Sequence, residues 1–140
     1  MKFPELYTRH GEFVLHSGQK SDILYDVNAL LTDEVYFKCV FSQIPSSEHY
    51  IGIVTGGALM ALMAHIKFPD SKFSMIKEGE LVGAHPNGGW TLVDDVITTG
   101  KSLLEAISLI GTDNFPERIL VALDRRPENK DPIVSSIFEI

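Results

Sequence analysis

Hydrophobic and polar positions divide the chain into two textures. In the first, Glu12-Phe13-Val14-Leu15 and Ile23-Leu24-Tyr25-Asp26-Val27 read as extended segments joined by a turn at Ser17-Gly18. A helix follows, with Thr32 as its expected N-cap, Asp33 and Glu34 in its first turn and its end near Pro45. Val35, Tyr36, Cys39, Val40 and Ile44 share one face at helical spacing. From residue 50 onward strands and helices alternate. Residues 50–54 predict a strand, Gly56-Gly57 open a helix over about 58–66, and Pro69 ends the unit. Residues 73–77 predict the next strand and 79–89 a Gly- and Asn-rich connection. Residues 90–93 predict a third strand, 102–110 a second helix with Gly111 as its C-cap, 118–123 a fourth strand and 133–140 a fifth. The expected architecture is α/β: a mainly parallel sheet of about five strands, flanked by helices on both faces. In such sheets ligands bind beyond the carboxyl ends of the strands.

Composition narrows this picture. At 140 residues, 44% hydrophobic and 22% charged, the chain is the size of a single domain with its own core. Cys39 is the sole cysteine, so neither an internal disulfide nor a cysteine-based zinc site is expected. The five histidines are scattered without metal-ligand spacing. The start, Met1-Lys2-Phe3-Pro4-Glu5, lacks the apolar run of a signal peptide, and no apolar stretch approaches the ~18 residues of a membrane span. A cytoplasmic protein without membrane contact is expected. The net charge of −7 argues against nucleic acid as a partner and requires local cations wherever an anionic ligand is held.

The most informative string is Leu92-Val93-Asp94-Asp95-Val96-Ile97-Thr98-Thr99-Gly100-Lys101-Ser102. An apolar strand ends in two adjacent carboxylates, a Thr-Thr-Gly turn follows, and a helix begins. Amides at a helix start have no backbone partner and carry partial positive charge, which suits a phosphate. Thr98, Thr99 and Ser102 add hydroxyls, and Gly100 allows close backbone approach. Asp94 and Asp95 suit hydroxyl groups or a hard cation such as Mg²⁺. Hydroxyls on one side and phosphate on the other describe a ribose 5-phosphate. Gly100-Lys101-Ser102 alone looks like the end of a P-loop, but that motif needs a glycine where Asp95 stands.

These residues make the chain resemble the type I phosphoribosyltransferases, and among them the orotate enzymes. Residues 93–100 are similar to the family's phosphoribosyl-pyrophosphate (PRPP) motif. Gly11 to Ser21 is similar to the orotate branch's G-x-F-x-L-x-S-G-x-x-S segment. Gly52-Ile53-Val54-Thr55-Gly56-Gly57-Ala58 resembles the pyrophosphate loop, and Leu123-Asp124-Arg125 the late D-R pair. The resemblance implies one domain over 1–140, with a small N-terminal β hood (1–30) and an α/β core (31–140). It implies transfer of ribose 5-phosphate from PRPP to a base, orotate foremost, with release of pyrophosphate, Mg²⁺ as cofactor and a homodimer. By resemblance Asp94, Asp95 and Lys77 are catalytic, and Val96, Thr98, Thr99, Gly100, Lys101 and Ser102 hold the 5-phosphate. Thr55, Gly56 and Gly57 hold pyrophosphate, and Lys20, Tyr25 and Arg125 meet the base. Asp94 and Asp95 are also the candidate contacts for magnesium carried by the substrate.

The pattern departs from the family in one segment. Orotate enzymes carry R-K-E-x-K-x-H-G on a mobile loop, whereas here Ile76-Lys77-Glu78 leads through Gly79 and Glu80 directly to Leu81-Val82-Gly83. Only Lys77 of the loop cations has a counterpart. A second expectation therefore stands beside the enzyme: a PRPP or nucleotide sensor that binds without turnover.

Overall fold

The computed structural model describes residues 1–127 and 131–140. After a 3-10 turn (Glu5–Tyr7), β1 (Thr8–Val14) and β2 (Lys20–Tyr25) form an antiparallel pair separate from the main sheet. Its register shifts between His10 and Phe13. Asp26 then caps the one-turn helix α1 (Val27–Leu30) by accepting from the Ala29 amide at 3.1 Å. The remaining elements are α2 (Glu34–Gln43), β3 (His49–Ile53), α3 (Gly56–Lys67), β4 (Lys72–Lys77), β5 (Glu80–Val82), β6 (Thr91–Ile97), α4 (Lys101–Ile110), β7 (Arg118–Asp124) and β8 (Val134–Phe138).

The main sheet has six strands in the order β5-β4-β3-β6-β7-β8, parallel throughout except for β5. From the centre the chain runs outward through β4 on one side and through β7 and β8 on the other. The order therefore reverses between β3 and β6, and such a switch point opens a crevice beyond the strand ends. One core layer packs Leu30, Val40, Tyr50, Met60, Ala64, Val93 and Leu120 beneath α1, α2 and α3. The other packs Ile51, Trp90, Leu92, Leu103, Ile107 and Val121 beneath α4. Strands covered on both faces must be apolar on both, and β7 is buried from Ile119 through Leu123.

The structure corrects several boundaries. Asp33, not Thr32, caps α2: its Oδ1 accepts from the Val35 amide at 3.0 Å. Thr32 instead donates to the Ala29 carbonyl, ending the short α1 that periodicity does not predict. Val35 is 70% exposed, because in the first turn of α2 it lies beyond the edge of the packed face. The third strand extends past Val93 to Ile97, since Asp94, Val96 and Ile97 continue the ladder with Val121, Leu123 and Asp124. The two acids thus belong to the strand. The 79–89 stretch contains β5, joined to β4 by a two-residue turn. Glu78 (φ 52°) and Gly79 (φ 76°) both take left-handed backbone, as a tight hairpin of this hand requires.

Candidate functional site

A cavity of about 270 Å³ opens at the switch point, between the carboxyl ends of β3 and β6 and under the β1–β2 hairpin. Its floor is the β3–α3 junction (Val54, Thr55, Gly56) and the β6–α4 junction from Asp94 to Leu103. Its roof is the β1–β2 turn with Leu24 and Tyr25, and Asn28 and Arg125 complete the wall.

Glycines let the two junctions meet. A Cβ on Gly57 would stand 2.4 Å from the Val93 carbonyl oxygen, and one on Gly52 would stand 2.3 Å from the Gly57 carbonyl oxygen. Helix α3 therefore starts in direct backbone contact with β6, beside the acids. The Val54–Thr55 peptide is cis.

Asp94 is 8% exposed. Burial pushes its carboxyl well above the usual carboxylate range, and the neighbouring Asp95 pushes it further. Each acid accepts from the next amide: Asp94 Oδ1 from Asp95 N at 2.8 Å, and Asp95 Oδ1 from Val96 N at 2.7 Å. Neither carboxylate forms an ion pair with a described residue. A buried acid without a cation is a costly arrangement in a fold that gains nothing from it, and it is suited to hydroxyl donors or to a hydrated divalent ion.

Immediately beyond, Gly100 takes left-handed backbone (φ 89°) as the N-cap of α4, with no side chain to occupy the helix start. Thr99 Oγ1 accepts from the Lys101 amide at 3.3 Å, and the Ser102 and Leu103 amides lie in the first turn, where no intrahelical acceptor exists. Acids and anion-binding amides thus occupy opposite ends of one floor. The Lys101 side chain is exposed and runs along the helix toward Glu105, Nζ to Oε1 at 3.9 Å.

Arg125 spans from the core sheet to the hood. Its amide donates to Ile97 O at 2.9 Å, while its guanidinium donates to Ser21 Oγ at 3.2 Å and to Ile23 O at 3.4 Å. The guanidinium carbon also lies over the Tyr25 ring, 5.0 Å from its centre, a cation–π contact for which Arg is well suited. Asp124 does not pair with Arg125. Its carboxylate accepts two bonds from Arg126, at 3.0 and 2.8 Å, and the Arg126 amide as well.

The cavity brings together Tyr25, Thr55, Gly56, Asp94, Asp95, Val96, Thr98, Thr99, Gly100, Lys101, Ser102 and Arg125 of the expected site residues. Three others stay outside its wall. Gly57 is buried beneath it against β6. Lys20 is exposed at the start of β2, because strand alternation turns Ser21 rather than Lys20 toward Arg125. Lys77 is exposed because β4 turns straight into β5 at Glu78-Gly79 and nothing extends from it over the cavity. His16, Ser17 and Asn28 line the wall without having been singled out. His16 and Ser17 lie inside the N-terminal motif, which is a usable signal; Asn28 lies in the unpredicted α1 and has none.

No family model matches the chain. It is 29% identical over 131 residues to the orotate phosphoribosyltransferase of Aeropyrum pernix, covering 82% of this chain and 70% of the relative. It is 28% identical over 153 residues to that of Hahella chejuensis, covering 94% of this chain and 71% of the relative. The crystal structure of the Aeropyrum pernix orotate phosphoribosyltransferase superposes with a TM-score of 0.78 at 25% identity, covering 95% of this chain and 88% of that one. In sequence and in fold this chain is similar to the orotate phosphoribosyltransferases.

Proposed function

We propose that this chain transfers ribose 5-phosphate from PRPP to a ring nitrogen of orotate and releases pyrophosphate. The carrying observation is the floor of the cavity, with an unpaired acid pair at one end and open helix amides at the other. In this reading the ribose hydroxyls donate to Asp94 and Asp95. Thr98, Thr99, Gly100 and the first turn of α4 hold the 5-phosphate. Thr55 and Gly56 face the pyrophosphate, and Arg125, over the Tyr25 ring, offers its planar fork to the orotate carboxylate. Lys20 and Lys77 receive no contact in this geometry.

The reaction breaks the bond from C1 to the pyrophosphate oxygen, whose electron pair leaves with pyrophosphate. The base nitrogen supplies the pair of the new C1–N bond and gives up its proton. The protein's part is to hold C1 between the two partners and to fix donors toward the developing charge. Two adjacent oxygen-donor carboxylates fit Mg²⁺, which is commonly held by one or two carboxylates together with substrate phosphates. Bound there, the metal would offset part of the leaving-group charge. Among the described residues no group of three metal-binding side chains exists, so the metal would arrive with the substrate.

Loss of orotate absorbance on mixing with PRPP and Mg²⁺, with matching pyrophosphate release, tests this reading. Turnover supports it, and its absence at high enzyme concentration rejects it. The short β4–β5 turn favours a second reading, since Lys77 does not reach the cavity and no lid covers it from that side. A sensor would bind PRPP in calorimetry and release no pyrophosphate.

We also read the protein as a cytoplasmic homodimer. Leu59, Leu62 and Ile66 leave an apolar face of α3 exposed that a second copy would cover. No helix among the described residues is long and apolar enough to cross a membrane. Light scattering of wild type and Leu62→Glu tests the dimer; equal masses would reject this face.

A further inference from the structure

The ring that backs Arg125 is itself held by a contact outside the cavity. Phe3 is 8% exposed and meets Tyr25 edge-on, with centroids 5.1 Å apart and planes at 80°. It also meets Phe138 of β8, at 5.5 Å and 76°. The backbone around Phe3 is tied to the end of the same strand. Its amide donates to the Glu139 carbonyl at 2.8 Å, and the Glu139 amide donates to the Met1 carbonyl at 2.9 Å. Lys2 pairs with Glu139 as a parallel bridge.

The hood needs such a joint. The β1–β2 pair shares no ladder with the six-stranded sheet, so its seat over the cavity depends on side-chain contacts. Arg125 supplies one from β7 through Ser21, Ile23 and Tyr25. Phe3 supplies another, from the clasped edge at β8 to the same Tyr25. Tyr25 is therefore fixed by Phe3 and in turn supports the guanidinium. An edge-to-face pair fixes the angle of both rings, which an aliphatic side chain of similar volume does not.

We propose that Phe3 is a positioning residue that sets the Tyr25–Arg125 pair and through it the affinity for the acceptor base. This rests on reading that pair as the base site. Phe3 does not line the cavity, so its influence on a ligand must pass through Tyr25.

The test compares the full chain as wild type, Phe3→Leu, Tyr25→Leu and the double variant, each checked for folding by circular dichroism. Phe3→Leu raises KM for orotate about three- to tenfold, the span of one aromatic pair, with KM for PRPP unchanged. In the Tyr25→Leu background the same change adds nothing, because the connection is already gone. Equal orotate KM in wild type and Phe3→Leu, or full additivity in the double variant, overturns the proposal. Should Phe3→Leu unfold, Phe3→Met carries the same comparison. A second readout is independent of catalysis. With the Arg125 guanidinium over the Tyr25 ring, the Arg125 side-chain protons are expected to resonate upfield in NMR spectra, and Phe3→Leu is expected to reduce that shift. If the shift moves while wild type shows no orotate turnover, the base-site reading fails and the positioning of the pair stands. If the shift does not move, the positioning fails as well.

Discussion

Gly56 stands so close to Asp95 that a Cβ on the glycine would lie 2.7 Å from the aspartate Cβ and 2.8 Å from its Oδ2. The loop after β3 and the acids of β6 are therefore positioned by each other. Gly56→Ala must push one away, an overpacking that costs about 1–3 kcal/mol. The accompanying misplacement is expected to weaken PRPP binding about ten- to hundredfold. Urea unfolding and calorimetry with PRPP measure the two effects; an alanine variant with wild-type PRPP affinity contradicts the geometry.

Asp94 is expected to trade stability for function. Asp94→Asn keeps an oxygen for the Asp95 amide and removes a buried ionisable acid from beside Asp95. It should raise unfolding stability at pH 7 by about 0.5–2 kcal/mol while reducing PRPP affinity. An acid that holds its proton more tightly when folded favours folding at low pH and withdraws that contribution as pH rises through its folded-state pKa. The stability advantage of the asparagine variant should therefore open above about pH 4, grow while folded Asp94 keeps its proton, and level off once it ionises. Equal stability of the two proteins from pH 4 to pH 8 would show that Asp94 is not strained by its surroundings.

Arg125 makes the hood contacts through its guanidinium and also lines the cavity. Arg125→Lys keeps the charge and loses the planar pair of donors and the guanidinium contact with the Tyr25 ring. Steady-state kinetics should show KM for orotate raised about 10- to 150-fold, the worth of a hydrogen bond to a charged group, with KM for PRPP little changed. An equal rise in both constants would mean that the substitution has moved the hood as a whole.

His49 gives the fold its own pH dependence, far from the cavity. It is 3% exposed, and its Nε2 lies 2.8 Å from Ser74 Oγ. Because that hydroxyl donates to the Ala84 carbonyl at 2.6 Å, the network assigns the histidine proton to Nε2. Burial lowers the pKa of His49, and Lys72 and His85 lower it further. A base depressed on folding stabilises the protein above its unfolded pKa and loses that contribution as pH falls. Wild type should thus lose stability below about pH 6.5, and His49→Gln should lose less over the same interval. Parallel pH profiles in urea unfolding would contradict this.

Much of this was legible in the sequence because the signals were local. Short apolar runs with glycines between them gave the parallel sheet and its order of strands and helices, and the Asp94–Ser102 string marked the junction on the cavity floor. What the sequence hid depends on neighbours distant along the chain. The acids read as the end of a strand, yet pairing with β7 carries β6 through them. Ser21 meets Arg125, and Phe3 meets Tyr25, across separations that no periodicity encodes. Lys20 and Lys77 matched family positions, but strand alternation and a two-residue turn leave them outside the cavity.

In the proposed reading the β6–α4 junction holds a sugar phosphate, with Asp94 and Asp95 at its hydroxyls. Calorimetric titration of PRPP with Mg²⁺ into wild type and into the Asp94→Asn, Asp95→Asn double variant tests it most directly. Saturable binding to wild type is expected below millimolar PRPP, with binding weakened beyond detection in a double variant that still unfolds cooperatively. Wild-type affinity in the double variant, or no heat with wild type at millimolar PRPP, would contradict it.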